Sequence, residues 1–323
     1  MNELPHIPVL LDAVLDTLRV TDHPAGRYVD GTVGAGGHAA AILQAAPEAR
    51  LLGLDRDPAA LALAAEQLAP FGDRATLRHA SYEQISAVVP AWLAFISDTA
   101  SDTVSGADGI LLDLGISSMQ VDDPARGFAF RHDGPLDMRF DPAGGGISAA
   151  EIVNTWDDAA LADILYTYGE ERHSRRIARA ILAARAPQPI ESTRQLAEIV
   201  ASAYKGPREK IHPATRTFQA LRIAVNDELG AVERVLPRAI DCLKVGGRLA
   251  VISFHSLEDR IVKQTFKHEA TDCICPPPQP VCTCDHVARV RLVTRKPIQP
   301  DAPEIDANPR SRSAKLRVVE RIE

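Results

Sequence analysis

Apolar residues in the first third of the chain fall into short runs separated by stretches of helical spacing. Tyr28 to Asp30, Leu51 to Asp55, Ala75 to Arg78 and Gly109 to Asp113 read as strands, and the segments between them as helices. Such alternation predicts a doubly wound α/β sheet with parallel strands, a fold that binds its ligands at the carboxyl ends of the strands.

After Asp113 the alternation stops. The Pro/Gly-rich segment from Pro124 to Gly146 reads as loop, and the spacing of Leu161, Ile164, Leu165 and Tyr168 as helix, so a helical insertion interrupts the α/β pattern. Its end falls near His212-Pro213, because Pro213 suits the first turn of a helix whose apolar stripe is Phe218, Leu221, Val225 and Leu229. A strand at Arg248 to Ser253 resumes the sheet, and Val290 to Thr294 and Leu316 to Val319 form an antiparallel pair joined by a Pro-rich loop. The fold read from the pattern is a seven-stranded, mostly parallel sheet over residues 1–122 and 212–323, with an inserted helical domain at 123–211.

The 323 residues suffice for one large domain with an insertion or for two domains, and 46% hydrophobic with 24% charged residues is a soluble, globular composition. Met1 to Leu11 has no basic start followed by an apolar run, and no apolar stretch approaches the ~20 residues that span a bilayer. A cytoplasmic protein without a membrane partner is therefore expected. The net charge of -7 argues against indiscriminate coating of nucleic acid, but charge is segregated. Tyr166 to Arg222 holds 11 Lys/Arg against 5 Asp/Glu, a surplus of +6 that leaves -13 for the rest. That stretch is either where phosphate is met or a set of solvated helix faces, and charge alone does not choose between them.

Candidate chemistry begins where the first strand runs into Asp30-Gly31-Thr32-Val33-Gly34-Ala35-Gly36-Gly37-His38, followed by a helix-like segment. Glycines permit a tight turn and close approach of backbone to a ligand. The second strand ends, 25 positions after Asp30, in Asp55, which is placed to accept both hydroxyl protons of an adenosine ribose. The segment Gly34 to Ala39 also fits the loose dinucleotide fingerprint, so a nicotinamide cofactor competes with S-adenosylmethionine. Asp30 favours the latter, because a carboxylate suits the ammonium of a methionine and not a pyrophosphate. Tyr82, after the third strand, either lies against an adenine or simply packs. Asp113 closes the fourth strand in Ile110-Leu111-Leu112-Asp113-Leu114-Gly115, where a carboxylate without a task is costly; a helix cap is its plainer role.

The ordered blocks are specific enough to show a resemblance. His6 to Leu11, Asp30 to Thr32 with Gly34 to His38, Asp55 to Asp57, Asp113 to Gln120, Arg126 to Phe128, Gly134 to Arg139, Tyr168 to Glu171, His212 to Arg216 and Ser253 to Arg260 together resemble the ribosomal RNA small subunit methyltransferase H family, also called MraW. The resemblance runs nearly end to end. It implies a class I, Rossmann-like methyltransferase with S-adenosylmethionine as donor, 16S ribosomal RNA within the small subunit as partner, and N4-methylation of a decoding-region cytosine. It implies cofactor contacts at Gly36, Gly37, His38, Asp55, Asp113 and Gln120, beside Asp30, Gly34 and Tyr82 from the loop reading. Relatives typically carry Phe where this chain has Tyr82, and many carry Phe or Leu where it has Val33.

A cytosine amine is a poor nucleophile and a sulfonium a strong electrophile, so positioning is most of the task. Asp113 is the candidate catalytic residue, accepting a hydrogen bond from the amine. Other amine methyltransferases carry Asp-Pro-Pro-aromatic there, whereas this chain has Asp113-Leu114-Gly115-Ile116, which leaves a role confined to the cofactor open. Reaching the amine requires the base to leave its stack, and Arg139, Arg216 and His255 are the substrate-side candidates, with structural salt bridges as the alternative. Gln219, Arg222 and Asn226 either line a groove or anchor the insertion.

Four of the five cysteines are compressed into Cys273-Ile274-Cys275 and Cys282-Thr283-Cys284. Close thiol pairs in a cytoplasmic chain suggest metal before disulfide, although C-x-C suits tetrahedral zinc less well than C-x-x-C. A zinc staple distant from catalysis and redox-sensitive thiols both stay open, as does the choice between a monomer and a homodimer. A nicotinamide-dependent oxidoreductase and a non-catalytic RNA-binding protein are the rival functions, and cofactor titration separates all three.

Overall fold

The structure is a computed structural model that describes residues 8–97, 106–204, 212–276, 279 and 281–323. His6 and Ile7 of the first motif, and Lys205, Arg208 and Lys210 of the basic stretch, lie outside the described residues. The chain forms two compact units, one running to Gly115 and resuming at Leu229, the other spanning Ile116–Glu228.

The first unit is built on seven strands: β1 Arg27–Asp30, β2 Arg50–Asp55, β3 Ala75–His79, β4 Ala107–Asp113, β5 Leu243–Ser253, β6 Val290–Leu292 and β7 Lys315–Arg321. Their order is β3-β2-β1-β4-β5-β7-β6. Strands β1 to β5 pair in parallel, and β7 runs antiparallel to both β5 and β6. The uninterrupted apolar runs follow from a sheet covered on both faces. Successive side chains alternate between faces. Val29, Leu52, Leu54, Ile110, Leu112, Leu249 and Val251 enter one core, closed by helices Ile85–Ile96, Glu228–Asp241 and Ser256–Glu269. Their alternating neighbours Tyr28, Leu51, Leu111, Ala250, Ile252, Leu316 and Val318 enter the other, closed by helices Leu11–Thr17 and Gly37–Ala45 and by part of Pro58–Leu68. The strand order reverses between β1 and β4, so the sheet's switch point, where such folds take their ligands, lies at Asp30 and Asp113.

Several strand ends differ from the pattern reading, those of β5 and β6 among them. Strand β5 starts at Leu243, where Leu243 pairs with Ala107 across a register shift, and a turn at Gly246 (φ 83°) is accommodated within the strand. Strand β6 stops at Leu292, because the Val293 and Thr294 N–H groups both reach the Val318 carbonyl and the Thr294 hydroxyl takes the Val318 N–H.

The second unit contains helices Ser118–Asp122, Ala149–Thr155, Asp158–Thr167, Ser174–Arg185, Thr193–Ala203 and Ala214–Asn226. Ile116, Phe218 and Leu221 pack into its core, which is why the units part at Gly115 and Glu228 and not at 122 and 212. The stripe expected from Phe218 to Leu229 is divided between two helices. Asp227 turns left-handed (φ 49°) and ends the first, and Leu229 belongs to the next. Among the described residues no helix is long and apolar enough to cross a membrane.

The Pro/Gly-rich segment is packed rather than loose. Phe128, Leu136 and Met138 are buried in the second core, and Phe128 stacks on Phe140 at 5.7 Å. A side chain at Gly127 would meet the Pro135 carbonyl oxygen at 2.1 Å, so the backbone passes where only glycine fits. Met138 is held left-handed (φ 62°), a conformation costly for a residue with a Cβ. Its N–H donates to the Arg126 carbonyl at 3.0 Å, and its carbonyl accepts from Asn226 Nδ2 at 2.7 Å. Asn226 Oδ1 in turn accepts the Phe140 N–H at 2.9 Å, and Arg126 caps the Arg139 and Phe140 carbonyls. Asn226→Leu would remove the bond to the buried Met138 carbonyl and the one from the part-buried Phe140 N–H, and is expected to lower the unfolding free energy by about 2–4 kcal/mol. Denaturant titration measures this, and a loss below about 0.5 kcal/mol, the range of ordinary surface changes, would contradict the anchoring role.

Candidate active site

Three strand ends deliver carboxylates to the same edge of the first unit. Asp30 closes β1, Asp55 closes β2 and Asp113 closes β4. Asp30 is 1% exposed, and burial first, then the charge of Asp55, pushes its carboxyl from 3.8 up to about 7, against the pull of the Thr32 N–H on Oδ1 at 3.1 Å. Asp113 keeps a quarter of its side chain exposed, yet its Oδ1 is enclosed with no hydrogen-bond partner. Burial, followed by the charges of Asp30 and Glu258, drives its carboxyl well above the usual range. Asp55 is raised by burial too, held back by backbone N–H groups.

Thr32 joins the first and fourth strand ends, its hydroxyl accepting the Asp113 N–H at 2.6 Å while its own N–H serves Asp30. The loop that follows is fastened to β2. Asp55 Oδ2 accepts the Gly34 N–H at 2.9 Å, Asp55 Oδ1 accepts the Asp57 N–H at 2.9 Å, and Val33 N–H reaches the Leu54 carbonyl. Gly36, left-handed at φ 91°, turns the chain into helix Gly37–Ala45, whose first turn no side chain caps. A methyl group at Gly37 would meet Pro8 Cγ at 2.7 Å. His38 is buried, with Nε2 2.9 Å from the Val9 carbonyl and Nδ1 3.9 Å from Asp113 Oδ2. Tyr82 opens a short turn after β3, partly buried against the core, and its Cβ lies 3.4 Å from where a Gly31 side chain would begin.

These contacts gather Asp30, Gly34, Gly36, Gly37, His38, Asp55, Tyr82 and Asp113 in one unit, around the ends of β1, β2 and β4. Gln120 lies in the other unit. It is buried, and its Oε1 accepts the Ser117 N–H at 3.1 Å in a reciprocal cap of helix Ser118–Asp122.

Each of the three substrate-side candidates has a partner of its own. Arg139 is clamped by Asp137 through two hydrogen bonds of 2.9 and 2.7 Å. Arg216, 43% exposed, makes one loose pair of 3.9 Å with the enclosed Glu171, which also binds the Tyr204 hydroxyl and the His173 N–H. His255 faces its own helix: its Nδ1 accepts the Glu258 N–H at 3.4 Å, and Glu258 Oε2 accepts the Phe254 N–H at 2.9 Å. Gln219 donates to the Tyr168 carbonyl and Arg222 chelates Glu228, so with Asn226 this stripe makes internal bonds of the second unit.

Thr32 and Glu258 were not singled out by the sequence reading. Thr32 carried no signal beyond a hydroxyl in a glycine loop. Glu258 stands three residues after a capping residue, as in a capping box, but the cap is a histidine, outside the usual set.

A five-strand parallel sheet extended by an antiparallel strand inserted before the last, with acidic ends to β1, β2 and β4 around a glycine turn, defines a class I S-adenosylmethionine-dependent methyltransferase. The MraW methylase family matches residues 3–322, and the chain belongs to that family. The ribosomal RNA small subunit methyltransferase H of Oleidesulfovibrio alaskensis is 51% identical over 98% of this chain and 95% of that protein. The protein of the same name from Symbiobacterium thermophilum is 50% identical over 98% and 97%. Among solved structures, a putative rRNA-methylase from Clostridium thermocellum is similar at 11% identity and a TM-score of 0.39, over 94% of this chain and 95% of that one. At that distance the likeness adds nothing to the family assignment.

The buried carboxyls should cost the free protein stability. Asp30 ionises near 3.8 when unfolded but near 7 when folded, so stability falls as pH rises through that window and the loss is complete above it. Asp30→Asn keeps an oxygen for the Thr32 N–H and removes the charge. It is expected to raise the unfolding free energy at pH 8 by about 2–4 kcal/mol and to change it little at pH 4. Denaturant unfolding at both pH values tests this, and a variant less stable than the parent at pH 8 would refute it.

Proposed function

We propose that the chain transfers a methyl group from S-adenosylmethionine to the exocyclic N4 amine of a cytosine in the decoding region of 16S ribosomal RNA. What carries this reading is relatives at about 50% identity along the whole chain, named for methylation of small-subunit ribosomal RNA. The acceptor atom and its place in the RNA rest on the family resemblance.

The donor supplies an electrophilic methyl on a positively charged sulfur. The residues present fit it. Asp113 Oδ1 is a buried acceptor without a partner, Asp30 is a buried acid suited to an ammonium, and the uncapped helix start at Gly37 suits a carboxylate. Asp55 already holds the backbone N–H groups of Gly34, Arg56 and Asp57, and a carboxylate's roughly four acceptor sites leave room for a ribose hydroxyl. Gly34, Gly36, His38 and Tyr82 complete the donor site on this reading.

Asp113 is the catalytic candidate. As the cytosine nitrogen forms its bond to carbon and the carbon–sulfur bond breaks, the amine must lose a proton. A carboxylate raised well above its ordinary range is a competent acceptor for it. Ile116–Glu228, which contains the whole basic stretch from Tyr166 to Arg222, is assigned to RNA recognition. Within it Arg216 is suited to a phosphate, being exposed and only loosely paired. Arg139 and His255 serve the substrate indirectly on this reading, by fixing their loops. The small ribosomal subunit, formed in the cytoplasm, is the proposed partner, since a preordered target lowers the entropy lost on binding.

Mass mapping of 16S ribosomal RNA from a strain lacking the protein is expected to show one methyl group missing from a single cytosine amine. The parent chain should restore it and Asp113→Ala should not. An unchanged map, or a methyl group missing from another base, would overturn the proposal.

A further inference from the structure

We propose that Cys273, Cys275, Cys282 and Cys284 bind one zinc ion as four thiolates. All four are free cysteines, and their sulfur atoms lie within 4.8 Å of one another. The separations of Cys273 from Cys282 and of Cys282 from Cys284 are 3.5 Å, and that of Cys284 from Cys273 is 3.9 Å. A tetrahedron with Zn–S bonds of about 2.3 Å has edges of roughly 3.8 Å, so the sulfurs already stand close to the corners such an ion requires. They are far too separated for S–S bonds, which are about 2.05 Å long. A cube of iron and sulfide, which fits between its cysteines, needs them farther apart.

The backbone supports the same assignment. The Ile274 N–H donates to Cys284 Sγ at 3.4 Å, and the Thr283 N–H donates to Cys275 Sγ at 3.4 Å. In each C-x-C, the middle residue thus serves the last cysteine of the other pair, which gives the two arms a local twofold relation. N–H groups aimed at sulfur favour the thiolate, the form that binds metal, and fix the direction of its lone pairs. The 3.5 Å between the Cys282 and Cys284 sulfurs, close to such a tetrahedral edge, answers the objection to C-x-C spacing, because one short arm already spans two corners.

The segment has a use for such an ion. It connects helix Ser256–Glu269 to β6, a three-residue strand at the sheet edge. Its neck is closed by Arg289 N–H to the Glu269 carbonyl, Ala288 N–H to Asp272, and His286 Nδ1 against the Thr271 carbonyl. Beyond the neck the exposed Ile274 and Val281 contribute no buried core. A metal bound only by the folded arms would supply the stability that apolar burial does not, and hold the approach to β6.

The test uses the full-length protein. Isolated under reducing conditions, it is expected to retain one zinc per chain, with X-ray absorption showing four sulfur ligands at about 2.3 Å. Cobalt loaded in place of zinc should give thiolate charge transfer and tetrahedral ligand-field bands. The double variant C273S/C284S should lose the ion. Independently of that variant's folding, the four thiols of the parent should resist alkylation until a chelator removes the metal, and removal should lower Tm. Three results would overturn the assignment: no zinc retained after metal-free chain is loaded and desalted, four thiols that react equally fast with and without zinc, or a mixed shell containing nitrogen or oxygen ligands.

Discussion

Asp30 and Asp113 stand on neighbouring strands where the sheet order reverses, and the surroundings make their negative charge expensive. Asp30 is nearly enclosed and receives hydrogen bonds from Thr32 alone among the bonds described, while Asp113 has one oxygen with none. The charge of Asp30 raises the affinity of Asp113 for a proton, and the charge of Asp55 does the same for Asp30. A protein selected only for stability would place apolar residues or paired ions here. A site that must hold a sulfonium and an ammonium, and later take a proton, gains from the same unfavourable arrangement. The ligand brings the positive charge that the chain withholds.

That arrangement requires a rigid frame, and the two-faced sheet provides it. Side chains of β1 and β4 fill a core on each side, so neither strand can twist away from a position that encloses Asp30 and leaves Asp113 only a quarter exposed. Thr32 adds a tie between the two strand ends, and Asp55 ties the glycine loop to a third. The loop's shape is thus determined by side chains from strands on either side of it.

Much of this was legible in the sequence. The strands could be located because double burial writes itself as short apolar runs, and Asp30, Asp55 and Asp113 could be located because each follows such a run. Their hydrogen bonds could not. Asp55 reads as a ribose ligand, but only the folded loop shows it already occupied by Gly34 and Asp57. The tie from Asn226 to Met138 spans 88 residues, and no local pattern records it. Arg139 and His255 drew attention as a cation and a histidine near motifs, and both proved to have partners close in sequence, Asp137 and Glu258. Periodicity also joined Leu229 to the wrong helix, because the left-handed break at Asp227 leaves the apolar spacing intact.

The claim that buried, partly protonated carboxylates select a cationic donor is tested most directly by counting protons. Calorimetric titration of the protein with S-adenosylmethionine, in buffers of different ionisation enthalpy at pH 7, gives the number released on binding. A carboxyl half-ionised near 7, that of Asp30, which becomes a full anion beside the ligand should release roughly half a proton, and affinity should rise from pH 6 to 7.5. No net proton release, together with an affinity that stays flat across that range, would show that the carboxylates are already ionised in the free protein and would contradict the account.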